Sequence, residues 1–179
     1  EPLTPEVPPL DDENMGENVY LEILSQAEDY VYIFTPYLII DNEMQTALSL
    51  AAKRGVDVRI VTPAIPDKKM VFRLTRSYYR PLIKAGVRIY EYTPGFIHAK
   101  SYLSDDKIGV VGTINMDYRS LFLHFECGTL MIGCEALRDL KEDCVKTFAA
   151  SKEIHLEDCR RGFFGLLFDS ILRVLSPLL

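Results

Sequence analysis

Residues 96–115, FIHAKSYLSDDKIGVVGTIN, hold an imidazole, two ammonium groups, two carboxylates, several hydroxyls and an amide, some of them at spacings that a β-hairpin would gather. In a strand alternate residues share a face, so His98, Lys100 and Tyr102 project together while Ile97, Ala99 and Leu103 project oppositely. The imidazole and ammonium would then sit roughly 6–7 Å apart at Cα. A turn near Asp105-Asp106-Lys107 folds the return strand back, setting Gly112 opposite Lys100 and Asn115 close to His98. A glycine there leaves room for a ligand to approach the backbone. Thr113 and Asn115 share one face of that strand.

Such a set makes a pocket for a tetrahedral anion. Lys100 offers a point charge to nonbridging oxygens, Asn115 offers amide N–H donors, and Thr113 adds a small hydroxyl. A neutral His98 can attack phosphorus, so the chemistry is phosphodiester transfer through a phosphohistidine. No metal or cofactor is implied, because the protein's own cation offsets the developing charge. Asp105 lies roughly 16 Å along an extended strand from Lys100 and on the other parity, so it is assigned to the turn. Glu126, on the next strand, could fix the tautomer of His98 and stabilise its imidazolium. His124 shares the parity of Glu126, although a surface role is favoured for it, and His155 falls in a loop. A lone H-x-K is common by chance; the full spacing H-x-K-x4-D-x6-G-T-x-N is not.

The elements that must position these residues follow from periodicity. Apolar residues recur at helical spacing from Asn14 to Asp29, and YVYIFTPYL (30–38) is a buried strand ending near Pro36. Thr35-Pro36-Tyr37 could line a ligand crevice. A helix capped by Asp41 or Asn42 runs to Arg54, a strand covers 56–62, a helix 67–85, and a strand 87–93. This β-α-β-α-β order predicts a largely parallel sheet. Strands at 96–104, 108–115 and 125–132 add hairpins. A helix over 134–152 faces Leu137, Leu140, Cys144, Val145 and Phe148 inward, and an apolar helix spans 162–179, for which packing against protein is favoured over a membrane anchor. Four prolines in the first ten residues mark 1–13 as linker, with the domain over 14–179.

The 179 residues suit one domain, and 48% hydrophobic with 26% charged residues is ordinary for a soluble α/β protein. A formal net charge of −6 argues against a duplex nucleic-acid partner. Cys127, Cys134, Cys144 and Cys159 show no metal-ligand spacing and read as reduced thiols. No secretory signal or long apolar run appears, and a start at Glu1 within a proline-rich stretch reads as an excised piece.

The set His98, Lys100, Asp105, Gly112 and Asn115 resembles the HKD motif of the phospholipase D superfamily. HAKSYLSDDKIGVVGTINMDYRSLFLHFE is similar to the second motif of bacterial cardiolipin synthases, including the N-x-D-x-R-S run of Asn115, Asp117, Arg119 and Ser120. TPYL and RVLSPLL extend the likeness, while His124 stands where Asn is expected. The resemblance implies a phospholipase D-like α-β-α sandwich with a mixed sheet, one HKD half of a longer enzyme. In that family two halves meet at the active site; one histidine attacks phosphorus and the other protonates the leaving alcohol. The implied reaction joins two phosphatidylglycerols and releases glycerol, with a hydrolytic phosphodiesterase or an inactive single-motif piece as alternatives. Implied partners are phosphatidylglycerol and other anionic phospholipid, the amino-terminal HKD half, and a second copy in a homodimer. The full-length enzyme is expected at the cell membrane through segments outside this chain, with this piece soluble and weakly active or inactive alone. Whether His98 is nucleophile or general acid stays open.

Overall fold

The β-branched and aromatic runs become strands and the amphipathic stretches become helices in a computed structural model that describes residues 2–3 and 14–176. In chain order these are β1 (Pro2–Leu3), α1 (Met15–Gln26), β2 (Tyr30–Phe34), β3 (Leu38–Ile39), α2 (Asn42–Lys53), β4 (Asp57–Pro63), α3 (Lys69–Ala85) and β5 (Arg88–Tyr92). There follow β6 (Ser101–Ser104), β7 (Ile108–Gly112), β8 (Met116–Asp117), α4 (Tyr118–Phe122), β9 (Gly128–Ile132), α5 (Ala136–Ala149), β10 (Ser151–Ile154) and α6 (Phe163–Val174).

One eight-stranded sheet runs β1-β9-β7-β6-β2-β4-β5-β10, and β3 pairs with β8 beside it. The β2-β4-β5 ladder is parallel and the other pairings in the large sheet are antiparallel, as the expected mixed sheet requires. Strand alternation splits the core. Val31, Ile33, Val58 and Ile60 lie with α1, α2 and α3, whereas Tyr30, Phe34 and Val61 lie with α5. The result is the predicted α-β-α sandwich.

Local signals behave as their chemistry dictates. The Asp41 carboxylate accepts from Met44 N–H and caps α2. Gly86, at φ 107°, closes α3 in the left-handed conformation. Pro81 lies inside α3 and cannot donate to the Ser77 carbonyl four residues back. The Arg173 guanidinium of α6 donates to that carbonyl instead and ties α6 to α3. One cost remains in this layer: Glu17 is buried on α1 with Oε1 unpartnered. Burial, reinforced by Asp41, pushes its pKa up to about 7.

Several boundaries differ from the sequence expectation. The first strand stops at Phe34, because Thr35 Oγ1 donates to Tyr37 O and accepts from Met116 N–H, turning the chain into β3. The 96–104 strand pairs as a ladder only from Ser101. The helix expected to reach 152 ends at Ala149, and Ser151–Ile154 instead adds an edge strand to β5. Val145 is exposed rather than inward, and Thr147 is buried beside Phe148. Within the expected linker, Pro2 and Leu3 form an edge strand on β9, a position where a missing N–H is tolerated; residues 1 and 4–13 lie outside the described residues. Among the described residues no helix is long and apolar enough to cross a membrane.

Candidate active site

The chain adds β4 and β5 on one side of β2 and then returns to lay β6 on the other, so winding reverses at β2. Crevices form outside the carboxyl ends of strands at such a point. Phe34, the last residue of β2, pairs with Ser101, the first of β6, so residues 98–100 run just beyond that end. Gly112 N–H donates to Lys100 O at 3.2 Å, which sets Gly112 opposite Lys100 in the expected register.

Lys100 is 9% exposed, and its Nζ lies 3.0 Å from His98 Nε2, 3.1 Å from Nδ1 and 2.8 Å from His98 O. The two side chains meet as strand parity predicts. Burial lowers the Lys100 pKa, while the charges of Glu126 and Asp117 draw it back up. The His98 ring is exposed and lies 5.8 Å from the Phe96 ring. Tyr102 keeps the same parity but lies in the core, its ring 3.8 Å from that of Tyr20. The Tyr20 hydroxyl donates to Ile114 O at 3.2 Å, so this aromatic floor holds the strand before Asn115.

Asn115 Nδ2 donates to Ser120 Oγ at 2.9 Å, and its Oδ1 is buried without a partner. Asp117 accepts from Ser120 N–H at 2.8 Å and caps α4; burial raises its pKa despite that bond. Thr113 does not point a free hydroxyl at the pocket: it donates to the Glu126 carboxylate and accepts from Cys127 N–H at 2.9 Å. Glu126 is thus held by Thr113 and makes no hydrogen bond to His98, although its charge reaches Lys100.

Gly112 departs from the expectation, and Asp105 has the structural duty expected of it. Gly112 does not leave room for a ligand. A Cβ there would lie 2.2 Å from Cys127 O and 2.5 Å from Gly128 Cα, so the space is taken by β9 backbone. Asp105, by contrast, does its turn duty with its carboxylate as well. It accepts from the N–H groups of Glu28, Asp29 and Tyr30 at 2.9, 3.0 and 2.8 Å. Burial pushes its pKa up, but those three bonds and Lys107 outweigh that and hold it below the ordinary value.

A cavity of about 190 Å³ opens beside Asn115, lined also by Tyr37, Lys68, Asp117, Arg119 and His124 but not by His98 or Lys100. Of the T-P-Y run expected to line a crevice only Tyr37 does so, its hydroxyl donating to Asp67 at 2.5 Å, while Thr35 is buried. His124 lines this cavity rather than standing apart on the surface. Lys68 gave no sequence signal, because it enters from the start of α3, far along the chain. His155 lies apart, its N–H bonded to Asp158.

Residues 20–146 match the family described as cardiolipin synthase, PLD-like domain. An uncharacterized protein of Streptococcus mutans is 51% identical over 172 residues, 96% of this chain and 37% of that protein. A cardiolipin synthase of Halalkalibacterium halodurans is 37% identical over 166 residues, 92% of this chain and 33% of that one. The chain thus spans about a third of the length of these relatives. The solved phosphatidylserine synthase of Haemophilus influenzae superposes with a TM-score of 0.77 at 16% identity, covering 100% of this chain and 47% of that one, which is a likeness of fold.

Proposed function

Because the chain belongs to the cardiolipin synthase, PLD-like domain family, we propose that it supplies one half of a phosphatidyltransferase site in which His98 and Lys100 handle the lipid phosphate. The observation that carries this reading is the direct contact of the Lys100 ammonium with the His98 ring, locked to the G-T-x-N strand by the Gly112–Lys100 bond.

The Lys100 ammonium rests against the His98 ring, within 3.1 Å of whichever nitrogen would attack. A phosphodiester binding to Lys100 draws the ammonium onto its nonbridging oxygens and uncovers that nitrogen. A half-turn of the Asn115 amide lets Oδ1 accept from the Ser120 hydroxyl, relieving the orphaned oxygen and releasing the amide N–H groups from that bond. One histidine attacks phosphorus as the bond to the leaving glycerol breaks. A second histidine, on the half not present in this chain or on a second copy, protonates that glycerol oxygen. The second histidine then takes the proton of another phosphatidylglycerol's hydroxyl as that oxygen displaces the first histidine from phosphorus, giving cardiolipin and both histidines in their starting protonation states. Lys68 and Arg119, at the cavity beside the site, suit the phosphate of that acceptor. Glu126 serves through its charge on Lys100, held in place by Thr113.

In the full-length protein, phosphatidylglycerol should yield cardiolipin and glycerol in equal amounts. His98→Ala should lower kcat by ~10⁴-fold or more, with binding retained. A phosphatidyl adduct that has lost its glycerol headgroup, acid-labile and mapped to histidine, identifies the intermediate. Phosphatidic acid as the main product would establish the hydrolytic alternative instead, and full activity in His98→Ala would overturn the assignment.

A further inference from the structure

Helix α6 is turned inside out relative to an ordinary surface helix. The face it lays on α3 buries one apolar side chain, Leu172, and is otherwise polar: Asp169, 6% exposed, accepts from Arg73 at 2.8 Å and pairs with Arg161 at 3.2 Å. Arg173 on the same face serves the Ser77 carbonyl that Pro81 leaves open, with Nε donating to Ser77 Oγ at 3.0 Å. The outward face carries Phe163, Phe164, Leu167, Ile171 and Val174, between 50% and 84% exposed. A contiguous apolar surface of this kind marks an interaction site.

Its surroundings indicate what covers it. Arg80, Lys84 and Arg160 line one cavity next to the amino-terminal end of α6, all three exposed. No side-chain ion pair engages any of them among the described residues. In a chain of net charge −6 this is a local concentration of unpaired cations. The other end of α6 leads to Ser176, which lines the cavity beside Asn115 and His124. Phenylalanine and leucine on one stripe with arginine and lysine at its border are the composition of a helix lying in a bilayer interface.

We infer that α6 is a docking face for an anionic phospholipid surface: the outer stripe enters the interfacial layer, and Arg80, Lys84 and Arg160 hold lipid phosphates. The choice of lipid over a protein partner rests in part on the phospholipid reading above. Docking in this pose brings the bilayer to the mouth of the site cavity, so a lipid moves along α6 rather than through water. The apolar helix, for which the sequence favours protein contact, thereby has a protein-facing, mostly polar side and a lipid-facing apolar one.

The test is sedimentation with vesicles of phosphatidylcholine alone or of an equimolar phosphatidylcholine–phosphatidylglycerol mixture. The chain should bind the anionic vesicles and be released by salt. Phe164→Ser with Val174→Ser, both at exposed positions, should abolish binding while the circular dichroism spectrum and melting curve stay unchanged. Arg80→Gln, Lys84→Gln and Arg160→Gln together should weaken anionic binding by roughly fivefold per charge removed and leave weak binding to neutral vesicles intact. His98→Ala should bind like the unaltered chain. Vesicle binding that persists in the Phe164→Ser, Val174→Ser chain overturns the proposal. So does no vesicle binding by the unaltered chain, including the case where light scattering shows a dimer that the same double change dissolves. Lipid transfer in detergent without vesicle binding removes the docking face and leaves the reaction standing; vesicle binding without any transfer by the full-length protein does the reverse.

Discussion

In the parallel half of the sheet, Val31, Ile33, Val58, Ile60 and Ile89 are fully buried, and none of the candidate site residues comes from those strands. The antiparallel half, β6, β7 and β9, leaves Val111 44% and Ile132 69% exposed and holds its shape through directed polar bonds. Those bonds run from Asp105 to three backbone N–H groups and from Thr113 to Glu126, with Asn115 to Ser120 just beyond β7. Apolar area supplies most of the folding free energy, whereas a hydrogen bond nets only about 1 kcal/mol but fixes direction. Both halves supply core, since Tyr102, Leu103 and Val110 of the antiparallel half are buried as well, but only the antiparallel half carries the bonds that aim the chemistry.

Substitutions test that division. Ile60→Ala should cost about 3–4 kcal/mol in urea unfolding yet leave kcat of the folded enzyme nearly unchanged. Loss of kcat would break the separation. Gly112→Ala should cost about 3 kcal/mol, because β7 and β9 must part to admit a methyl group, and should also lower kcat by displacing Thr113 and Glu126. Asp105→Ala should cost about 2 kcal/mol at neutral pH, since three N–H groups lose a charged acceptor. Its folded pKa lies below the ordinary value of 3.8, so its contribution is present above that value and is lost as pH falls through the lowered one. Replacing Asp105 should therefore flatten the acid limb of the stability curve.

Glu17 titrates in the opposite sense, and it sits on the helical layer over the parallel half. Its folded pKa of about 7 lies above 4.5, so its contribution is full below 4.5 and disappears as pH rises through 7. Glu17→Gln should stabilise the protein by about 1–2 kcal/mol at pH 8 and flatten the decline between those values. Urea midpoints across pH for both variants would show whether the two halves carry opposite pH signatures.

Most of the regular structure could be read from the residues themselves. Long aliphatic strands and capped helices announce their own period, and Gly55 and Gly86 stop their helices where expected. The elements that escaped notice are short: β3, β8, β10 and the five-residue α4 have too few residues to show a period, and tertiary partners define them. At the site, parity alone brought His98 to Lys100 and kept Asp105 away. It could not foresee that Glu126 answers to Thr113, or that Lys68 arrives from α3, because both depend on contacts between distant segments. The role of Gly112 was misread for a related reason. Its neighbour is the backbone of a third strand, which hairpin pairing does not include.

The tight turn at Asp105-Asp106 holds both residues at positive φ, 54° and 57°, where glycine or asparagine is usual. Asp106 is fastened as well, by the Tyr30 hydroxyl at 2.7 Å and by Lys141 of α5. Slipping a hairpin by one residue exchanges its two faces. For this hairpin that would send His98 and Lys100 to the α5 side and leave Ile97 and Ala99 facing the crevice. The two aspartates therefore act at a distance as an alignment pin: carboxylates that never touch a substrate decide which side chains do.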